Sequence, residues 1–386
     1  MKSVNAPKVL ILTQSLGMGG LEKTLVKLAA GLAKRASFVP EIYAYDQDPD
    51  TSPWRDEIRA SGFKLTALLK DPGFSWKVVK ALKEKIRDED IRIVHTHDLN
   101  ALLYGALVKW SGAKIALVHT QHTFLHLNKL KHRIYERIFP RATDLIVCPS
   151  SSLAKIYEQH GFRNTKIVRN GIENLERRFS RDAREAWLAQ GVAGGEALAA
   201  WKRLQESVKK RWVLVLGRVH SGKGQENFLQ LWSQLNPDFR KDTRVLMVGP
   251  ANEAAYLEKL KSLSKTLPDA ENILWVGATG RPLQWMVMSD VFVSLSDFEG
   301  MPLAPTEAYL SGLPLVLSDI PGHLDLKLPG TAFISRDDAT ALEAEILKAR
   351  APSENELSRV RRNFSMDTMI EGYEDAYRAS LEKVKR

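Results

Sequence analysis

A chain of 386 residues, 44% of them apolar, has room for two α/β domains of ordinary size, and no apolar run near 18 residues marks a membrane-spanning helix. Cys148 is the single cysteine, which excludes an internal disulfide and any cysteine-based zinc cluster. The net charge of +10 is carried by the first half: residues 1–172 hold 27 Lys and Arg against 16 Asp and Glu, and residues 173–386 hold 29 against 30. Such asymmetry suits nucleic acid, an anionic membrane or an acidic substrate.

The opening segment Met1–Lys8 lacks a signal-peptide core, because the apolar run Val9–Leu12 stops after one strand's length. A cytoplasmic location is expected. The strand Lys8–Leu12 leads into Gly17-Met-Gly-Gly-Leu-Glu22 and a helix with Leu21, Leu25, Leu28 and Leu32 at spacings of four and three. Glycines there let the backbone approach a ligand, and the helix presents its N-terminus to a phosphate. A nicotinamide-binding turn would need a third glycine where Glu22 stands.

Further strands are expected at Val39–Tyr45, Ile91–His95, Lys114–Thr120 and Asp144–Cys148, with helices between them, as in a parallel sheet covered on both faces. Asp46, Asp48 and Asp50 form D-x-D pairs that read as solvated turn acids, so no metal site is expected. Six of the nine histidines fall between His95 and His132, and His95-Thr-His97 and His119-Thr-Gln-His122 both end strands, at the sheet edge where α/β proteins bind ligands. The segment His126–Arg141 has five Lys or Arg and one Glu, with Leu127, Leu130, Ile134, Tyr135 and Ile138 as an apolar stripe. Two readings stand: the stripe packs on the sheet, or Leu127–Arg141 lies on an anionic bilayer.

Leu175–Arg211 is polar and reads as an interdomain connection with an extra helix, the boundary lying near Gly171. A second strand series follows at Trp212–Leu216, Arg244–Val248, Ile273–Val276, Val291–Leu295 and Leu315–Leu317. After its first strand comes the basic loop Gly217-Arg-Val-His-Ser-Gly-Lys-Gly224, whose spacing differs from a Walker A loop. After Ser289–Ser296 comes Glu299-Gly-Met-Pro-Leu-Ala-Pro-Thr-Glu307, two carboxylates eight residues apart across a loop that turns into a helix. The amides of Gly300, Met301 and Leu303 can point at an anion there, aided by the helix dipole. Glu299 is expected at the loop mouth and Glu307 about two turns into the helix. The last stretch, Met366–Arg386, is an amphipathic helix with Met369, Tyr373 and Tyr377 on one stripe.

These segments resemble the retaining glycosyltransferases of family 4. The family's E-G-x-x-L-x-x-x-E-A signature matches Glu299–Ala308, its small-Gly-x-Pro turn matches Ser311–Pro314, and its G-R-x-x-x-x-K-G matches Gly217–Gly224. Its G-x-G-G-x-E matches Gly17–Glu22, and its N-G-[IV]-[DE] hinge turn matches Asn170–Glu173. The resemblance implies a GT-B fold, two Rossmann-like doubly wound domains facing a central cleft: an acceptor domain over 1–172, a nucleotide-sugar domain over 173–365, and a helix over 366–386 that returns to the first.

It implies a sugar transferred from a nucleotide diphosphate sugar with retention. Arg218 and Lys223 would neutralise the diphosphate, Glu299 and the amides of Gly300, Met301 and Leu303 would hold sugar and phosphates, and Glu307 would bind the ribose. Pro302 removes one amide donor from this set. Ala278 and Thr279 would meet the base, Gly17, Gly19 and Gly20 would border the donor, and His122 would stand near the reacting sugar, with Glu299 as the other candidate catalytic residue. The expected chemistry uses no cofactor or metal, the cations stabilising the leaving group instead. The basic first half adds a lipid, lipopolysaccharide or other glycan precursor as acceptor, at the inner face of the cytoplasmic membrane. An epimerase on the same fold is the alternative enzyme. A nucleic-acid-binding module is the other, although the chain lacks the aromatic–basic interleaving that would favour it.

Overall fold

The computed structural model describes residues 6–17, 19–46, 52–122, 130–173, 204, 209–251 and 253–385. The connection over 174–203, the loop acids Asp48 and Asp50, and Leu127 therefore lie outside the described residues. The chain divides into two compact units, Met1–Glu173 with Asn363–Arg386, and Asn174–Arg362.

The first unit is built on strands β1 (Lys8–Thr13), β2 (Val39–Ala44), β3 (Lys64–Ala67), β4 (Ile91–His97), β5 (Ala116–Thr120), β6 (Leu145–Cys148) and β7 (Thr165–Ile167). All pair in parallel, in the order β3-β2-β1-β4-β5-β6-β7. Val9–Leu12 are all buried, because a parallel strand is covered on both faces. The helix Gly20–Arg35 buries Leu25, Leu28, Ala29 and Leu32 on one side and stops at Ala36, which takes a left-handed conformation with φ 53°. Against the same core lies the terminal helix Met366–Lys385, through Met369, Ile370, Tyr373, Ala376 and Tyr377. Gly31 lets these two helices cross closely, since a Cβ there would meet Ile370 Cδ1 at 2.1 Å.

The second unit repeats the plan with β8 (Arg211–Leu216), β9 (Thr243–Val248), β10 (Ile273–Gly277), β11 (Val291–Ser294), β12 (Leu315–Ser318) and β13 (Ala332–Ile334). These are again all parallel, ordered β10-β9-β8-β11-β12-β13. Its core gathers Val213, Phe228, Trp232, Val245, Leu260, Val293 and Leu342 around β8 and its neighbours. Both units are thus Rossmann-like doubly wound sheets. In each, strand order reverses direction beside the first strand, at β1/β4 and at β8/β11, the place where open α/β sheets bind ligands.

Candidate active site

In the second unit the residues singled out from the sequence follow the carboxyl ends of β8, β10 and β11. The loop after β8 turns through Gly222 and Gly224, both at positive φ (88° and 78°). Gly224 also lies so close to β11 that a Cβ would meet Leu295 O at 2.2 Å, so glycine is required there on two grounds. The turn is held by Gln225 Nε2 donating to Arg218 O (3.0 Å) and by Asp297 N donating to Gly222 O (2.9 Å). It delivers Lys223 to the loop after β11, where its Nζ donates to both carboxylate oxygens of Glu299 at 2.8 Å. The Arg218 side chain is exposed.

Glu299 is fixed from a second side by Ser296 Oγ, which donates to Oε1 at 2.9 Å. Behind it, Ser318 Oγ donates to Ser296 O (2.7 Å), and His323 Nδ1–H donates to Ser318 O (2.9 Å). His323 is fully buried, and burial lowers its imidazole pKa below the ordinary value. The short helix Pro321–Leu324 can approach because Gly322 has no Cβ; one would meet Glu299 O at 2.1 Å. Sequence reasoning missed Ser296, Ser318 and His323 as supports of Glu299. The one available signal was Pro321-Gly322 opening a helix after β12.

Gly300 and Met301 are buried, and the following helix spans Leu303–Leu310 with Pro302 as its N-cap (φ −71°, ψ 130°) and no side-chain capping bond. Glu307 is consequently the fifth helical residue, just over one turn in rather than two. Pro302 holds the extended conformation and delays the helix until Leu303. Ala278 and Thr279 leave the end of β10, where Thr279 Oγ1 accepts from Arg281 N at 3.0 Å.

In the first unit, Gly17 follows β1, and among the described residues no atom beyond its chain neighbours lies within 4 Å of where its Cβ would stand. Neither protein packing nor a positive φ calls for glycine there. Gly19 is the extended N-cap of the helix that begins at Gly20. The histidines end β4 and β5 in a packed group. His95 Nδ1 meets Tyr377 OH and its Nε2 meets Thr120 Oγ1, both at 2.7 Å. His119 Nδ1 meets Thr96 Oγ1 at 3.0 Å and its Nε2 donates to Gln121 Oε1 at 2.9 Å. His97 Nδ1 lies 2.9 Å from His122 Nε2. Burial holds His95 and His97 well below the ordinary histidine pKa and pushes His122 down to about 3, so all three are neutral at physiological pH. Asp46 accepts from Gln14 Nε2 at 3.0 Å. No metal-holding cluster of His, Cys, Asp or Glu occurs among the described residues.

The basic helix spans Leu130–Ile138, and the exposure of its side chains shows how much of the stripe packs on the sheet. Leu130, Ile134 and Ile138 are 71%, 48% and 43% exposed, while Glu136 is buried. Tyr135 packs inward, edge-on to Phe139 at 5.0 Å. Most of the stripe therefore faces away from the core. Among the described residues no helix is long and apolar enough to cross a membrane.

Two doubly wound parallel sheets, with a Lys–Glu pair beside the strand reversal of the second, define a GT-B-fold transferase. Residues 18–174 match the Glycosyltransferase Family 4 domain and residues 200–363 match Glycosyl transferases group 1; the chain is a glycosyltransferase built of these two domains. It is 26% identical to the lipopolysaccharide core biosynthesis mannosyltransferase LpsB of Rhizobium meliloti over 63% of this chain and 68% of that protein. It is 24% identical to the putative glycosyltransferase EpsF of Bacillus subtilis over 95% and 93% of the two chains. In fold it is similar to Anabaena Alr3699/HepE in complex with UDP and glucose, with TM-score 0.79 and 18% identity over 96% of this chain and 99% of that one.

Proposed function

We propose that this chain moves a sugar from a nucleoside diphosphate sugar to an acceptor hydroxyl with retention of configuration, the acceptor being a lipid-linked or lipopolysaccharide-type glycan precursor at a membrane surface. The observation that carries this is the Lys223–Glu299 pair beside the β8/β11 reversal, with the uncapped start of Leu303–Leu310 close behind it in sequence. An ammonium group and unpaired helix amides are what a diphosphate leaving group requires. Arg218 adds a second cation from the same loop, and Glu307 takes the ribose hydroxyls.

A carboxylate held at both oxygens by a cation is a poor nucleophile and a good acceptor for sugar hydroxyls. Glu299 therefore grips the donor sugar, and the departing phosphate takes the proton of the attacking hydroxyl. HepE, which shares the fold, is described with UDP and glucose, and LpsB is named for lipopolysaccharide core synthesis; both support the reading. For the acceptor, the support lies in the basic first unit and its outward apolar stripe.

A thermal-shift screen against UDP-, GDP- and ADP-linked sugars identifies the donor. With that donor, Lys223→Ala and Glu299→Ala should each lower turnover by a factor of a hundred or so, about 3 kcal/mol of transition-state stabilisation, and EDTA should leave turnover unchanged. Full activity in either variant sinks the site assignment.

A further inference from the structure

The four histidines at the ends of β4 and β5 differ in how completely their ring nitrogens are satisfied. His95 and His119 each have partners at both nitrogens, which is what packing histidines into a sheet requires. His97 differs. It is fully buried, its Nδ1 meets His122 Nε2 at 2.9 Å, and its Nε2 has no hydrogen-bond partner among the described residues.

One proton lies between the two rings, and it has two possible owners. If His122 Nε2 carries it, neutral His97 must hold its own proton on Nε2, an N–H sealed from water with nothing to accept it. If His97 Nδ1 carries it, the sealed Nε2 is a bare lone pair. A buried polar atom left unpaired costs about 1–3 kcal/mol, and along the backbone orphaned buried N–H donors are rarer than under-satisfied carbonyl acceptors. Burial also keeps both rings from becoming cationic. The second arrangement is therefore favoured.

We infer that His97 is a positioning residue: its Nδ1–H donates to His122 Nε2 and pins His122 as the neutral tautomer that carries its proton on Nδ1. The two rings are nearly coplanar, 22° apart with centroids at 5.2 Å, as an in-plane N–H···N bond requires. The His97 ring in turn rests on His95 at 4.0 Å, which Tyr377 of the terminal helix and Thr120 hold in place. The lone pair of His122 Nε2 is thus taken up by His97 and is not free to serve as a general base. What the residue offers a substrate is a hydrogen-bond donor, fit to orient a sugar hydroxyl. This last step rests on the proposed transfer and on the expectation, from the family resemblance, that His122 stands near the reacting sugar; the tautomer itself does not.

The test uses the full chain labelled with ¹⁵N-histidine, with His122 assigned by comparison with His122→Gln. Near neutral pH and without ligand, His122 should show a protonated Nδ1 and an unprotonated Nε2 in long-range ¹H–¹⁵N spectra. In His97→Leu the His122 signals should move to averaged tautomers. His97→Asn, which keeps an N–H near the lost Nδ1, should restore the wild-type pattern. Kinetics are read with whichever of UDP-glucose, GDP-mannose or ADP-glucose the wild type turns over. His97→Leu should lower kcat about tenfold, one hydrogen bond's worth, with donor KM little changed, and His97→Asn should recover most of it.

A protonated Nε2 on wild-type His122 overturns the inference, as does a His97→Leu protein with unaltered His122 shifts. The wild-type spectrum decides the matter even if His97→Leu folds poorly. Full turnover by His122→Gln would instead sink the contact with sugar, leaving the tautomer assignment standing.

Discussion

The side chains of Lys223 and Glu299 are 35% and 11% exposed, and an ion pair that open adds little to stability. Its use must lie elsewhere. A diphosphate arriving at Lys223 competes with Glu299 for the same ammonium, and the carboxylate repels it, so the two residues should part company when nucleotide binding is measured without the sugar. Titration with UDP, GDP and ADP should find binding lost in Lys223→Ala but kept or tightened in Glu299→Ala, with melting temperatures within a few degrees of wild type. Equal loss in both variants would mean that Glu299 supports the phosphate site rather than the sugar. The pair was legible because each member sits in its own local motif. Ser296, Ser318 and His323 were not, because what joins them to Glu299 is the packing of neighbouring strand ends, which no spacing along the chain encodes.

At the scale of elements, the buried central strands announced themselves as apolar runs, and the three that escaped notice, β3, β7 and β13, are sheet edges of three or four residues. Half covered and short, they carry no continuous apolar stretch for a pattern to catch. The helix Leu130–Ile138 posed the opposite problem, since its stripe was plain in the sequence but its orientation was not. With Leu130, Ile134 and Ile138 outward and Lys131, Arg133 and Arg137 also exposed, it suits an anionic bilayer, each cation contributing about 1 kcal/mol near the surface. Ile134→Asp should reduce sedimentation with phosphatidylglycerol vesicles at least tenfold, since burying one such side chain contributes about 1.5–3 kcal/mol. Its melting temperature should hold, the site being exposed. Partition that survives the substitution, or that is absent in the wild type, removes the membrane from the proposal.

For the whole molecule, the division into two units carries an asymmetry in titrating groups. The first unit holds the buried His95 and His97 and the half-buried His122 as neutral rings, all with pKa values below the ordinary 6.5 through loss of solvation; in the second, His323 is likewise lowered. Unfolding returns each ring to water and lets it take a proton once the pH is below about 6.5. The unfolded state then binds more protons than the folded one, so this stability is complete above that pH and is lost as pH falls, by about 1.4 kcal/mol per pH unit for each ring. Carboxylates whose pKa is lowered by pairing, such as Glu89 and Glu226, begin to matter only nearer their ordinary value of 4.5, so the window from pH 7 to 5 isolates the histidines. Hydrogen exchange followed by mass spectrometry on the full chain reads both units in one experiment. Peptides from β4, β5 and the terminal helix, which are joined through His95 and Tyr377, should lose protection across that window faster than peptides from β8 and β9, after correction for intrinsic exchange rates. Protection in the first unit that stays level or rises as the pH falls would show that these rings are not held neutral by the fold.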